Sequence, residues 1–480
     1  MESIWWKTTE PAAARETLRG DYRADVAVIG AGLAGILTAY QLQQKGARVV
    51  VIDRGRIGGG ATGRTTGKIT SQHRLIYDKL LRGLGEEKAS LYAQANERAV
   101  RQYAALVEEK GIDCAFSRRP ACVYALHDST SLEKEAEAAR RLGIPARMDE
   151  RTELPFPVAG ALWFPDQAQF HPLKFLNALA EELTVFEHTP ALAVEGRTVR
   201  IPRGRIRAKA VVVATHYPFI NAPGYYFMRM HQERSYVLAL QGAPAIEGMY
   251  IDAAANGLSF REAEGLLLLG GGSHRTGKNP AGGQYEQLRR AAAKLYPQAS
   301  VQARWSNQDC MTADGAPYIG PYSSSTPRLF VATGFGKWGM TGSMVAATLL
   351  SDRIAGEANS CAPAFSPSRF PVKAASKNLA ADGSEAVAGL SKQVFHRPAK
   401  TLDSLENGQG GIVNYNGKKC GAYKTEEGRV YLVSTRCPHL GCELQWNPEE
   451  KTWDCPCHGS RFDYKGRLIE GPAQHCAHSR

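Results

Sequence analysis

The sequence predicts an α/β Rossmann-type domain with an interleaved α+β region, joined to a small all-β domain at its C-terminal end. Three observations lead there. A strand, glycine turn, helix and second strand follow one another in ADVAVIGAGLAGILTAYQLQQKGARVVVIDRG, from Ala24 to Gly55. A stretch rich in Pro, Ser and Ala follows Gly356. Beyond it, short runs separated by turn signals carry Cys and His clustered between Cys437 and His458. A chain of 480 residues exceeds what one core usually organises, so two or three domains are expected.

Composition narrows the function. Hydrophobic content of 43% and charged content of 22% fit a soluble globular protein, and no apolar run is long enough to span a bilayer. The opening residues lack an uninterrupted apolar h-region, which predicts a cytoplasmic protein. Five of the ten cysteines fall within the last 44 residues, a distribution that favours a local metal site over a disulfide framework. The net charge of +12 comes without an aromatic-interleaved basic motif, so no nucleic-acid partner is expected and an acidic redox partner is.

In the first unit, Val26 to Ile29 reads as a buried strand and the second strand ends at Asp53. Gly30 permits the tight turn, Gly32 lets the backbone approach a pyrophosphate, and Gly35 lets helix and strand pack closely. The helix N-terminus offers N–H groups to the anion, and Asp53 is placed to accept from a ribose hydroxyl. This unit alone leaves NAD and FAD both open.

The second glycine-rich loop, GGGATGRTTGKITSQH (Gly58 to His73), resembles the flavin-contacting segment of the D-amino-acid oxidase family, and no second GxGxxG serves a nicotinamide nucleotide. ALWFPDQAQFHPLKFLNALA (Ala161 to Ala180), VVVATHYPF (Val211 to Phe219) and LLLLGGGSHRTGK (Leu266 to Lys278) resemble further segments of that family in its order. The closing match runs from Asp314 to Gly356, where a strand leads through a glycine-rich loop to a helix pointing at the flavin. The resemblance implies FAD held by Gly30, Gly32, Gly35, Asp53, Arg54, Thr62, Thr66, Gly67, Gly334, Gly339, Met340 and Thr341. It also implies a small amine-like substrate. Substrate-domain residues are expected at about 101–148 and 225–297, within a flavin domain spanning 1–357. Lys337, in the flavin-facing loop, is expected near the ring. Arg261 is a candidate clamp for a substrate carboxylate, since a guanidinium binds one bidentately. Cys310, in SNQDCMTADGAPYIG, resembles the cysteine that carries flavin covalently in monomeric sarcosine oxidases. The alternating stretch GRTVRIPRGRIRAK (Gly196 to Lys209) reads as a half-exposed strand pair.

Residues 358–399 read as a linker and 400–480 as the small β domain, with turns at Asn416-Gly417 and Glu427-Gly428. Cys437-Pro-His439 and Cys455-Pro-Cys-His458 give C-x-H followed by C-x-x-H. Two Cys and two His could hold zinc, but structural zinc sites use C-x-x-C knuckles with a separate histidine pair. One thiolate and one imidazole on each of two loops is the Rieske arrangement, with Cys437 and Cys455 on one iron of a [2Fe–2S] cluster and His439 and His458 on the other. The resemblance to respiratory-type Rieske proteins implies a disulfide between Cys442 and Cys457 and a covering loop at Gly471 to Ala473. Phe462 departs from it. A tyrosine is usual there, so one hydroxyl donor is missing and a lower potential than the respiratory type is expected. His475, Cys476 and His478 near the chain end are read as frayed.

A flavin exchanges two electrons or one, and a Rieske cluster one. The expected function is therefore two-electron oxidation of an amine-like substrate, with single electrons leaving by His439 or His458 to an external, acidic carrier. Reverse flow from a carrier to the flavin, and a redox sensor without turnover, are the alternatives.

Overall fold

The computed structural model describes residues 2–369, 398 and 400–477. Its first sheet has a parallel core in which Tyr22–Ile29 lies between Val49–Ile52 and Gly204–Val213, extended by Val185–Phe186 on one side and Leu329–Thr333 on the other. Val49–Ile52 is buried throughout, as parallel strands covered on both faces must be. The helix Leu33–Gln44 packs on this sheet and on the helix Gly339–Ala355. The arginine-rich stretch forms the hairpin Thr198–Ile201 and Gly204–Val213, with its arginines exposed and Val199, Ile201 and Ile206 buried.

Two glycines fix the crossing of strand and helix. Gly30 has φ +111°, and a Cβ there would lie 2.5 Å from the Ala214 carbonyl oxygen. A Cβ on Gly35 would lie 1.8 Å from the Gly30 carbonyl oxygen, so no side chain fits between helix and turn.

A second sheet of eight strands stands over the first domain's cofactor end, in the spatial order 300–312, 230–241, 266–275, 259–263, 249–252, 121–125, 160–164, 147–149. The expected substrate region was drawn too narrowly. Ser300–Thr312 pairs with Met230–Gln241 from Met230↔Thr312 to Gln241↔Ser300, and Gly160–Phe164 pairs with Ala121–Ala125, so both belong to this sheet. Residues 101–110 instead finish the helix Glu86–Lys110, which ends at Gly111 in the left-handed region.

The linker expectation also shifts. Through Arg369 the chain is packed on the first domain: Phe365 stacks on Tyr92 with ring centroids 5.5 Å apart, and the Arg369 guanidinium pairs with buried Asp314 at 2.8 Å. Composition reads as a linker there, but one buried ion pair and one aromatic anchor hold it. The rest of that segment lies outside the described residues.

The C-terminal domain is all-β. Three strands, Gly410–Tyr415, Lys418–Lys424 and Val430–Val433, form one sheet, and four, Gln445–Asn447, Thr452–Asp454, Arg461–Asp463 and Leu468–Glu470, form another. Asn416 and Gly417 both have positive φ, as the hairpin turn between the first two strands requires. Trp453 and Phe462 are fully buried at its core. Among the described residues no helix is long and apolar enough to cross a membrane.

Gly35→Ala is expected to cost about 3 kcal/mol or more, because the obstacle is backbone rather than a movable side chain. The variant should purify without FAD and unfold at lower urea, read by flavin absorbance and circular dichroism.

Candidate functional site: a flavin cleft closed by an iron–sulfur domain

A cleft of about 810 Å³ runs from the glycine turn to the second sheet. At its first end lie Gly30, Gly32, Asp53, Arg54 and Thr62, and at its second Thr66, Lys337, Gly339 and Met340, all named from the sequence. Thr62 accepts from the Leu33 N–H at 3.0 Å, steadying the first turn of the helix whose N-terminus faces the cleft. Asp53 accepts from the Ala31 and Gly55 N–H groups, each at 2.7 Å, so the loop itself is tied to this carboxylate; burial pushes its pKa up. A Cβ on Gly32 would stand 3.3 Å from Thr62 Oγ1, a close approach beside the phosphate cradle. The cradle, the helix N-terminus and the length of the cleft fit a dinucleotide such as FAD.

Gly35, Gly67, Gly334 and Thr341 stand behind this lining. Gly67 and Gly334 adopt positive φ with no room for a side chain, and Thr341 donates to the Thr70 carbonyl at 3.1 Å, so these residues shape the loops that contact a flavin.

Lys337 is in the cleft, donating to Ser273 Oγ at 2.6 Å and pairing with Glu233 at 3.4 Å. Burial opposes ionisation of Glu233, but His231 and Lys337 overcome it and hold its pKa at about 2. Asp309, also on the cleft wall, is pushed up to about 6 by burial, with Lys337 acting against the shift. Neither acid was singled out from sequence, where each is one charge within an alternating strand.

Two expectations are overturned. Arg261 is off the cleft: its guanidinium donates to the Thr66 and Glu262 carbonyls and lies 5.5 Å from the Trp5 ring, at a separate small pocket. It follows cleft-lining Ser259 on the same strand face, but the N-terminal Trp5 and the Thr66 carbonyl fill the space before it. Cys310 is 1% exposed, with its sulfur 3.7 Å from Met230 Sδ and 3.8 Å from Thr333 Oγ1. Its thiol is sealed in the core with Met230, off the cleft that its neighbours Gln308 and Asp309 line, and burial raises it to about 12, so covalent flavin attachment there is not supported.

In the C-terminal domain Cys437 and Cys455 are buried with their sulfurs in hydrogen-bonding contact. Backbone N–H groups of His439, Cys457 and His458 and the Ser460 hydroxyl point at these sulfurs. Ser460 Oγ in turn accepts from the Ala473 N–H at 3.0 Å, which ties the 471–473 loop over the site. The His439 and His458 rings meet edge to face with centroids 4.9 Å apart. His439 Nε2 lies 2.7 Å from Asn221 Oδ1; with the proton on that nitrogen, the buried Nδ1, which has no hydrogen-bond partner among the described residues, keeps its lone pair for a metal. Cys442 and Cys457 form a disulfide beside Cys455. Two adjacent thiols, two converging imidazoles and N–H donors to sulfur fit a Rieske [2Fe–2S] cluster.

The two sites share a wall. Residues 468–472 and Gln474 of the C-terminal domain line the flavin cleft. Gln232, on the same cleft, donates to the His458 carbonyl at 2.7 Å, and Gln308 donates to the Gly459 carbonyl at 2.9 Å. Phe227 packs edge-on against His458 with centroids 5.7 Å apart. Arg234, 1% exposed, pairs with Glu450 at 2.6 Å and Glu470 at 3.5 Å; Arg461 pairs with the same two acids and with Asp454. Arg64 also reaches Glu470, and Arg54 donates to the Ile469 carbonyl at 3.0 Å. Of the two histidines expected to lead electrons out, His439 or His458, His458 is buried and His439 half-buried, and both rings pack against the 221–227 segment of the first domain.

A dinucleotide cleft walled by an iron–sulfur module defines a flavin-linked oxidoreductase. Residues 25–353 match the FAD dependent oxidoreductase family and residues 397–479 the Rieske [2Fe-2S] domain, and the chain belongs to this FAD-dependent oxidoreductase family, with a Rieske domain appended. It is 38% identical over 490 residues to a Bacillus subtilis protein named as a Rieske 2Fe-2S iron-sulfur protein, YhfW, covering 98% of this chain and 96% of that one. It is 24% identical to a Haemophilus influenzae protein named as the oxidoreductase OrdL, over 70% of this chain and 82% of the relative. Among solved structures, the fold is similar to glycine oxidase from Geobacillus kaustophilus, with a TM-score of 0.63 at 23% identity over 73% of this chain and 99% of that one. The first domain accordingly binds FAD and the second a [2Fe–2S] cluster.

Burial opposes ionisation of Glu470, and the charges of Arg461, Arg64 and Arg234 overcome it, holding its carboxyl well below the usual range. A depressed pKa adds stability above the unfolded value of about 4.3 and loses it as pH falls further. Glu470→Gln should reproduce that loss at neutral pH, by roughly 3 kcal/mol, leaving buried Arg234 and Arg461 short of a counter-charge. Urea unfolding followed at the cluster's visible bands should show an earlier midpoint in the variant at neutral pH, and the gap between native and variant should narrow as pH falls below about 4.

Proposed function

We propose that this chain oxidises an amine or amino-acid-like substrate in the flavin cleft and delivers the electrons singly through the Rieske cluster to an external carrier. When bound, FAD accepts two electrons with a proton and the cluster passes one electron at a time. In this reading Cys437 and Cys455 hold one iron and His439 and His458 the other.

The observation that carries the proposal is the pair of glutamines. Gln232 and Gln308 lie on the cleft and hold the backbone of the loop bearing His458, and they are hydrogen-bonded to each other at 2.7 Å. A cluster that exchanged electrons only with external partners would not need its histidine edge packed on the flavin domain. The buried His458 side supports electron entry from the flavin. His439 is half-buried beside Leu440, which is 39% exposed, and this supports exit on that side. The net charge of +12 suits an acidic carrier. Lys337 and Asp309 place charged groups on the wall of the reaction chamber, and Glu233, behind that lining, pairs with Lys337. The substrate class draws support from relatives, among them an Escherichia coli protein named gamma-glutamylputrescine oxidoreductase, 26% identical over 216 residues, 42% of this chain and 50% of that one.

Anaerobic addition of amines and amino acids should bleach the flavin bands and then the cluster bands. Bleaching only by a reduced carrier, with none by any amine, would reverse the direction. His458→Cys is expected to keep stoichiometric FAD and lose the Rieske signal in low-temperature EPR; an unchanged signal would reject His458 as a ligand.

A further inference from the structure

We infer that Asp309 is the group that takes the proton an amine substrate must lose before it is oxidised, resting on the reading of the cleft as the oxidation chamber. An amine in neutral water is an ammonium, and its Cα–H pair cannot leave as hydride until the nitrogen lone pair is free to form the C=N bond. The step needs a proton acceptor on the chamber wall. Asp309 is on that wall, 6% exposed, with Asn307 and Ser235 beside it on the cleft. Its carboxylate accepts from Asn307 Nδ2 at 3.0 Å and from Ser235 Oγ at 3.2 Å, and among the described residues it makes no ion pair. The Gly336 N–H donates to the Cys310 carbonyl at 2.9 Å, which ties this strand to the loop bearing Lys337.

Two acids here share one lysine. Glu233 stands directly opposite Asp309 across the strand pair, and like charges so placed oppose each other. Lys337 pairs with one oxygen of Glu233 at 3.4 Å and His231 lies 3.6 Å from the other, so Glu233 keeps its charge while Asp309 is left without a counter-ion. Burial raises the Asp309 pKa; Lys337 opposes the shift, Glu233 adds to it, and the Ser235 bond and the Arg234 charge oppose it, leaving it at about 6. Neighbouring carboxyls driven apart in this way divide the work: Glu233 remains an anion beside the lysine, and Asp309 exchanges a proton near neutrality. The substrate ammonium gives one proton to the Asp309 carboxylate, leaving a free amine and a carboxylic acid. The Cα–H bond then breaks, its electron pair and hydrogen going to the flavin as the nitrogen lone pair forms C=N, and Asp309 returns its proton to solvent. Burial and the Lys337 charge disfavour a second cation beside them, which brings the ammonium's own pKa down toward that of its acceptor.

The test uses the full FAD-loaded chain. Without substrate, the native flavin absorbance should titrate with one proton near pH 6, and that change should vanish in Asp309→Asn with FAD content and circular dichroism kept. Glu233→Gln removes a like charge and should move the midpoint down; Lys337→Met removes an opposite charge and should move it up. On anaerobic mixing with glycine or putrescine, native flavin reduction should slow about tenfold per pH unit below about 6. Asp309→Asn should be slower by roughly a hundredfold and lack that limb, and Asp309→Glu should recover part of the rate. No titration in the native chain, one that survives in Asp309→Asn, midpoint shifts of the opposite sign, or equal reduction rates in native and Asp309→Asn protein would overturn the assignment. If the titration follows these signs and neither amine reduces the flavin, the reading of the cleft as an amine-oxidising chamber fails and the proton-accepting role falls with it. If the amines reduce the flavin and the titration is absent, the oxidation stands and Asp309 is not its proton acceptor.

Discussion

Arg234 and Arg461, both almost sealed from solvent, share Glu450 and Glu470 between them, and the rest of the molecule is arranged around that sharing. Arg234 rises from the sheet over the flavin cleft; the two acids and Arg461 come from the cluster domain. A buried guanidinium left without its carboxylates would be costly, so the domains are held in one relative position more strongly than by apolar contact alone. Charge complementarity of this kind also fixes register. Once the joint is set, Gln232 and Gln308 meet the His458 loop, and residues 468–472 become one wall of the cleft.

This arrangement makes the cluster domain part of the flavin site. Its strand Leu468–Glu470 and the following Gly471 and Pro472 close a cavity whose other walls are the glycine turn, the Lys337 loop and the second sheet. The same short segment places Ala473 N–H on Ser460, which donates toward a cluster sulfur. One loop thus serves both centres, and a change at either is felt through few bonds.

The parts legible in the sequence were those whose chemistry is local. Gly30, Gly32 and Asp53 act within one βαβ unit, and the two Cys/His pairs act within two tight loops, so spacing alone carried their geometry. What failed depended on distant chain. Arg261 points along the correct strand face but meets Trp5, which arrives from the N-terminal segment. Cys310 lies beside cleft-lining Gln308 and Asp309, yet its thiol is sealed in the core against Met230 and Thr333. Residues 358–369 read as linker because nothing in their composition announces that Arg369 will find buried Asp314. The domain joint was invisible for the same reason: Arg234, Glu450 and Glu470 are isolated charges in sequence and a network only in three dimensions.

The central claim is that the cluster exchanges electrons with the flavin of its own chain across this joint. It is tested most directly by flash photoreduction of the flavin, with the cluster's absorbance followed in time at several protein concentrations. The account predicts a first-order change whose rate constant is independent of concentration. A rate proportional to protein concentration, or a cluster that stays oxidised while the flavin is reduced, would contradict it.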